Sequence, residues 1–246
     1  NISCVVMAPS SLPKSPDDKK RKTDKIDARN LALHLAHNTY KAVHVLTPEM
    51  ETIKDLTRTR AAALKAQKRA KQNFLSFLLR KGMVYPFGGR STYWTQKFYT
   101  WLKTLEFTNA LERYSFEEYL AEVNHQMSRV SRLDDKISEI AETPSIKDDV
   151  KKLCCFSGIS TLTAVSFICE IGDFNRFEKA SYFASYLGLC PGVHSSGLSS
   201  QNLGITKSGN KNLRCLLIEA AQSMSHSQLC GKKSLRLLAR QKNMDP

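Results

Sequence analysis

Two aspartates near the beginning of the chain have the spacing of a shared metal site. Asp24 and Asp27 lie three residues apart in Lys-Thr-Asp-Lys-Ile-Asp-Ala-Arg, residues 22–29. On a helix both carboxylates project from one face. Oxygen ligands of this kind suit Mg²⁺, and a nucleic-acid phosphate could complete its shell beside basic residues such as Lys22. The alternative is a solvated helix start, with Asp24 as a cap and Asp27 in an ion pair.

A second polar group precedes a helix that the sequence predicts over residues 211–222. Free backbone N–H groups and the helix dipole make a helix N-terminus a favourable place for an anion. The side chains suited to phosphate there are those of Lys207, Asn210, Lys211 and Arg214. For Arg214 the alternative is a cap or an ion pair with Glu219 or Asp173. The junction therefore predicts a phosphate-binding site.

Composition favours a globular protein with a polyanionic partner. The chain has 246 residues, 41% of them apolar, which suffices for one large domain or two small ones. The net charge of +14 favours nucleic acid as that partner. Seven cysteines without a C-x-x-C pair are typical of reduced thiols in a cytoplasmic protein. No apolar run reaches about 18 residues, so we expect no membrane-spanning helix.

The first third of the chain predicts a mixed α/β arrangement. Residues 2–8 have the pattern of a short parallel strand, residues 23–37 of a helix, and residues 40–45 of another strand. A long helix follows over 48–81, with Pro48 at its start and Gly82 after its end. Its basic side chains, among them Arg60 and Lys68, could follow a phosphate backbone. The alternative is a merely soluble basic helix.

The middle of the chain predicts an aromatic segment and a long helix. In residues 83–103, packing of the Trp and Tyr side chains is favoured over stacking on bases. From Phe116 to Ile140 the apolar residues recur at steps of three and four, close to a heptad repeat. We expect a helix of roughly 30 residues that ends before Pro144. Its apolar seam fits self-association and an intramolecular hairpin equally well.

The last third predicts a mainly helical domain. Residues around Gly158 have the order helix, glycine turn, helix, and resemble a helix-hairpin-helix element whose backbone N–H groups bind phosphate. Ser160 stands where such turns usually have a second glycine. A Gly- and Ser-rich loop is expected over 188–204. The sequence thus divides into three predicted parts, at 1–85, 86–150 and 151–246.

Five motifs stand in one order along the chain: Lys-Thr-Asp-Lys-Ile-Asp-Ala, Glu-Ile-Gly-Asp-Phe-Asn-Arg-Phe, Tyr-Leu-Gly-Leu-Cys-Pro-Gly, Ser-Ser-Gly, and Ile-Thr-Lys-Ser-Gly-Asn-Lys-Asn-Leu-Arg. In this order they resemble the transposases of insertion-sequence family 110 over almost the whole chain. The resemblance implies a RuvC-like, RNase H-type N-terminal domain with an Asp-Glu-Asp-Asp set. It also implies a coiled coil and a C-terminal transposase domain with a nucleophilic serine.

Carried over residue by residue, the resemblance places the last two acids of the set on Asp24 and Asp27, and the nucleophile on Ser196. Ser195 is the neighbouring alternative. The first two acids lie upstream in the family, so we expect sequence before residue 1, and a clipped C-terminus as well. The implied cofactor is Mg²⁺, and the implied partners are DNA and a structured non-coding guide RNA. A dimer or tetramer formed through the coil, at the nucleoid of a prokaryotic cytoplasm, is also expected.

Three functions remain open on the sequence. The first is a DNA transposase or site-specific recombinase. The second is a nucleic-acid-binding module that cuts nothing, and the third is a dimeriser in which the basic charge is incidental.

Overall fold

The computed structural model of the chain describes residues 4–7, 12, 23–40, 42–89, 92–196 and 199–226, and for residues 193–196, 199–202 and 225–226 it describes only the backbone. The chain divides into two compact units, Asn1–Pro48 and Glu49–Pro246. The described residues are mainly helical. The three-part division expected from the sequence remains a prediction.

In the described residues of the first unit, helix α1 runs from Asp24 to Ala36, which confirms the helix predicted over 23–37. Thr23 begins it, because its hydroxyl accepts the backbone N–H of Ile26 at 3.3 Å. In place of the predicted strands, the described residues form an isolated antiparallel bridge between Met7 and Ala42. The expected parallel strand is therefore wrong for these residues. A parallel connection needs a crossover helix packed on the sheet, and no residue of α1 is buried.

Two long antiparallel helices form the frame of the second unit. Helix α2 runs from Pro48 to Arg80 and α4 from Ala110 to Ala141, which confirms both predicted helices. Two ion pairs connect them: Arg60 of α2 pairs with Asp134 of α4, and Lys81, the residue after α2, pairs with Glu112 in the first turn of α4. The buried residues of the predicted seam recur every seven positions: they are Phe116, Val123, Val130 and Ile137. Phe116 and Val123 share a core with Phe74 of α2, and Ile137 shares one with Ile53 of α2. The structure therefore uses the seam within the chain, which is the hairpin alternative.

Aromatic side chains fill the far end of this pair of helices, around the short helix α3 from Gln96 to Leu102. Phe74 of α2 and Phe98 of α3 are completely buried. The rings of Tyr85 and Phe98 meet edge to face, with centroids 5.2 Å apart. The expectation that these aromatic residues pack against one another is confirmed.

Beyond α4, the part of the second unit that the structure describes contains further helices and a two-stranded sheet. Helices α5 (Lys147–Cys154) and α6 (Thr161–Ile171) pack against the near end of α2 and α4. A 3₁₀ turn at Phe174–Arg176 and helix α7 (Ala180–Tyr186) follow. The strands β1 (Pro191–Ser196) and β2 (Ser199–Ile205) form an antiparallel hairpin, and α8 runs from Lys211 to His226.

This hairpin overturns the predicted loop over 188–204. The segment has few β-branched or aromatic residues, so its side chains gave no strand signal. Backbone pairing along the ladder, from Pro191 opposite Ile205 to Ser196 opposite Ser199, nevertheless forms the sheet. Of the described helices, none is long and apolar enough to cross a membrane.

Candidate functional site

The hairpin carries the serine that the family resemblance singles out. Ser196 is the last residue of β1, and its backbone lies in register with Ser199 at the start of β2. Ser195 is one position earlier, opposite Ser200. Both serines therefore lie at the closed end of the hairpin, next to residues 197–198.

The open end of the hairpin is fixed by backbone contacts to the segment that precedes α8. The N–H of Thr206 donates to the carbonyl oxygen of Cys190 at 2.9 Å, and that of Lys207 to Gly188 at 3.0 Å. Gly188 has a φ of +67°, and a Cβ there would collide with the backbone carbonyl oxygen of Ser208. Only glycine combines this backbone conformation with so close an approach.

The buried side chain of Arg214 stabilises the same junction through hydrogen bonds. Its Nη1 donates to the carbonyl oxygen of Leu187 at 2.7 Å. The observed partners are backbone carbonyls rather than the carboxylates of Glu219 or Asp173. The predicted phosphate contact of Arg214 remains a prediction, and the observed contacts join α8 to the C-terminal end of α7.

Asn210 caps α8 and also contacts a buried carboxylate. Its Oδ1 accepts the backbone N–H groups of Asn212 at 3.0 Å and Leu213 at 3.2 Å, as an N-cap residue does. Its Nδ2 donates to Oε2 of Glu170 at 2.7 Å. The end of α8 is thereby attached to α6, which contains Glu170.

Glu170 is a functional candidate that the sequence reasoning did not assign. Its side chain is only 4% exposed, and Arg58 of α2 donates to both its oxygens, at 2.8 and 3.1 Å. Burial acts to raise the pKa of this carboxyl, but the hydrogen bonds from Arg58 and Asn210 outweigh it and hold the pKa below its ordinary value. Its signal in the sequence is a single charged residue in the apolar stretch Thr-Leu-Thr-Ala-Val-Ser-Phe-Ile-Cys-Glu-Ile.

A groove with a cavity of about 360 Å³ lies between α2, α6 and α8. Apolar residues such as Leu64 and Leu216 form part of its wall, and basic and acidic groups form the rest. The charged residues that line it are Arg58, Arg60, Lys65, Glu170, Lys211 and Glu219. Since Arg58 and Arg60 already pair with carboxylates, the lysines are the cations better placed to meet an added anion.

The remaining basic candidates differ in surroundings. Arg60 pairs with Asp134, whereas Lys68 on the same helix is exposed. Lys207 is exposed, with a left-handed φ of +54° just before α8. Lys22 lies outside the described residues. The structure thus leaves Lys68 and Lys207 accessible to a phosphate.

Gly158 has a structural reason to be glycine. Its φ is +89°, and a Cβ would collide with the carbonyl oxygen of Ala220 in α8. The turn between α5 and α6 is thus pressed against α8. Close packing explains the glycine without a ligand, and the phosphate contact remains a prediction.

The acidic pair lies in the first turn of α1, where the helix dipole stabilises negative charge. Asp24 is exposed and Asp27 half-buried. Their donor chemistry suits a hard divalent cation. Two carboxylates are an incomplete set, however, and the described part of the chain contains no group of three or more His, Cys, Asp or Glu able to hold a metal ion.

Comparison with known proteins shows similarity to transposase families at both ends of the chain. Residues 1–82 match the DEDD transposase family of IS110 elements, and residues 150–235 match the IS116/IS110/IS902 transposase family. The protein y4qE of Sinorhizobium fredii is 33% identical over 232 residues, which covers 94% of this chain and 55% of the relative. The IS1533 transposase of Leptospira borgpetersenii is 31% identical over 224 residues, covering 89% and 63%.

A third relative, a pilin gene-inverting protein of Moraxella bovis, is 32% identical over 105 residues, or 42% of this chain and 33% of the relative. The chain thus spans roughly half to two thirds of the length of the first two relatives. Residues 1–82 and 150–235 therefore correspond to the two domains of IS110-family transposases, which assigns these parts of the chain to that family.

Proposed function

We propose that this protein cuts and rejoins DNA as the transposase of an insertion sequence, with Ser196 as the nucleophile. The observation that supports it is the hairpin. Its closed end carries Ser196, and its open end is held by Gly188 and by the segment before α8. A base held in place by several backbone contacts helps a nucleophile to meet a phosphate in one geometry. One relative is named a pilin gene-inverting protein, and inversion of a gene is a site-specific recombination, which supports the recombinase part of the proposal.

In the proposed reaction the Ser196 hydroxyl attacks a phosphodiester of DNA. A bond forms between the serine oxygen and phosphorus, and the strand leaves as a free hydroxyl that takes up a proton. The phosphoserine ester conserves the bond energy, so that a second DNA hydroxyl can reverse the step and rejoin the strand. The Lys207 ammonium, close in sequence to the hairpin and exposed, is suited to neutralising phosphate oxygens.

The acidic pair has a separate part in the proposal. Asp24 and Asp27 would hold a divalent cation, Mg²⁺ by donor type, which supplies positive charge at phosphate oxygens when bound. The RuvC-like character of the first unit, the helix-hairpin-helix role of Gly158, the guide RNA and assembly into a dimer or tetramer belong to the proposal as well. They rest on the family resemblance.

The nucleophile is tested by trapping the covalent product. The protein is incubated with labelled DNA from the ends of its element and separated on a denaturing gel. Ser196→Ala should abolish the covalent adduct and leave DNA affinity unchanged, while the control Ser195→Ala should retain both. An adduct that survives in Ser196→Ala would refute the assignment.

The second candidate function is binding of nucleic acid without cleavage, and the exposed cations of α2 favour it. Each phosphate contact releases counterions, so affinity for DNA should fall steeply as salt rises. Lys68→Ala should weaken binding and lower the salt slope by about one unit. Arg60→Ala is the matched control and should change binding less, because Arg60 is already paired with Asp134. Binding that does not depend on salt would argue against this surface.

A further inference from the structure

The buried carboxylate of Glu170 connects three elements of the second unit through its side chain. It lies on α6, accepts both hydrogen bonds of Arg58 from α2, and accepts a third from Asn210 at the start of α8. An ionised group this deeply buried is expensive to desolvate, and an apolar replacement often gives equal stability. Stability alone is therefore a weak reason for a charge at this position.

The carboxylate of Glu170 is connected through Asn210 to the open end of the β1–β2 hairpin. Asn210 holds the start of α8 through its own side chain, and its backbone N–H donates to the carbonyl oxygen of Tyr186 at 3.4 Å. Four residues later, Arg214 donates to Leu187, the residue before Gly188. Just before Asn210, Thr206 and Lys207 make the backbone bonds to Cys190 and Gly188 that hold the open end of the hairpin.

At two glycines of this junction the backbones pack so closely that no room remains for a side chain. A Cβ at Gly209 would collide with the carbonyl oxygen of Tyr186, and one at Gly188 with that of Ser208. The backbones already touch, so any movement of Asn210 must be passed on to the hairpin base rather than absorbed by a gap. A group that fixes Asn210 thus fixes the hairpin.

We propose that Glu170 is a positioning residue, which sets the orientation of the Ser196 hairpin through Asn210 and the start of α8. The inference rests on the proposed function, since it concerns the delivery of Ser196 to a DNA phosphate. Glu170 does not touch the DNA in this scheme. Its effect is on the rate of the covalent step and not on affinity.

The test uses three variants. For each, the rate of adduct formation is measured at saturating DNA, and the affinity for DNA is measured separately by titration. Glu170→Ala removes the acceptor for Asn210 and should slow adduct formation between about 10- and 100-fold, the loss that a small misplacement of a reacting group produces. DNA affinity should stay within about twofold. Glu170→Gln keeps an oxygen acceptor and should restore most of the rate. Glu219→Gln, a change at an exposed carboxylate lining the same groove, should behave as the wild type.

Hydrogen exchange gives a readout that does not depend on chemistry. The amides of Thr206 and Lys207 donate the bonds that hold the open end of the hairpin, and they should exchange faster in Glu170→Ala than in Glu219→Gln. An unchanged adduct rate in folded Glu170→Ala, or unchanged exchange at these amides, overturns the inference. So does a fall in rate matched by an equal fall in affinity, which would indicate general loss of fold.

Failure of the proposed function has a different signature. An adduct that persists in Ser196→Ala refutes the nucleophile, and with it the role of Glu170 in positioning that nucleophile. Loss of the adduct in Ser196→Ala together with a normal rate in Glu170→Ala refutes the positioning role alone.

Discussion

Replacing Gly158 by alanine separates two explanations of the turn between α5 and α6. If the glycine is required by packing, the substitution destabilises the fold for two reasons. An L-residue at a φ of +89° costs about 1–2 kcal/mol. The new Cβ also collides with the carbonyl oxygen of Ala220, and relieving such a contact costs about 1–3 kcal/mol more. The expected loss in the free energy of unfolding is therefore about 2–5 kcal/mol.

The chain offers a matched control at Gly82, which ends α2 with a φ of +70°. A Cβ built there meets nothing within 4 Å, so Gly82→Ala should cost only the backbone strain, about 1–2 kcal/mol. Urea unfolding followed by far-ultraviolet circular dichroism measures both variants against the wild type. Equal losses would refute the packing argument. A stable Gly158→Ala with weakened DNA binding would instead support a phosphate contact at the turn.

Three further predictions follow from the described contacts. Mg²⁺ should raise the melting temperature, and Asp27→Asn should remove most of that gain; a gain that survives would refute the metal assignment. Because Arg58 and Asn210 outweigh burial and lower the pKa of Glu170, its carboxylate stabilises the fold above the ordinary value of 4.5 and loses that effect as pH falls through the lower folded pKa. The difference in unfolding free energy between the wild type and Glu170→Gln should therefore shrink as pH falls below 4.5 and through the lower folded pKa, and a constant difference would contradict this. Burial raises the pKa of Cys169 to about 11, so native-state alkylation near pH 8, followed by mass spectrometry, should modify exposed Cys154 long before Cys169; equal rates would contradict the buried position.

The helical frame could be predicted from the sequence because its signals are local and strong. Pro48 begins α2 and Gly82 follows it, and the observed helix ends one residue before the predicted boundary. The heptad spacing from Phe116 to Ile137 likewise gave α4 and its buried side. Periodicity specifies which face of a helix is buried, but it does not specify whether that face packs against the same chain or against a second copy. For that reason the sequence left dimer and hairpin equally open.

The site was less accessible to sequence reasoning, since its contacts join residues far apart in the chain. Arg58 and Glu170 are separated by 112 positions, and Asn210 and Glu170 by 40. The hairpin was missed because backbone pairing, and not side-chain propensity, forms it. Ser196 came from the family resemblance, since nothing in its composition distinguishes it from the serines beside it.

Two ion pairs between the long helices, Arg60 with Asp134 and Lys81 with Glu112, restrict how α2 and α4 can change in length during evolution. One inserted residue turns everything beyond it by about 100° around the helix axis, so an insertion between Arg60 and Lys81 would leave one of the two pairs facing away from its partner. Only additions or deletions of about seven residues, made in both helices together, return the side chains to register. Proteins descended from this chain should therefore differ in the length of α2 and α4 by about two helical turns in both helices at once. Insertions and deletions of single residues should be found in the segments that join the helices.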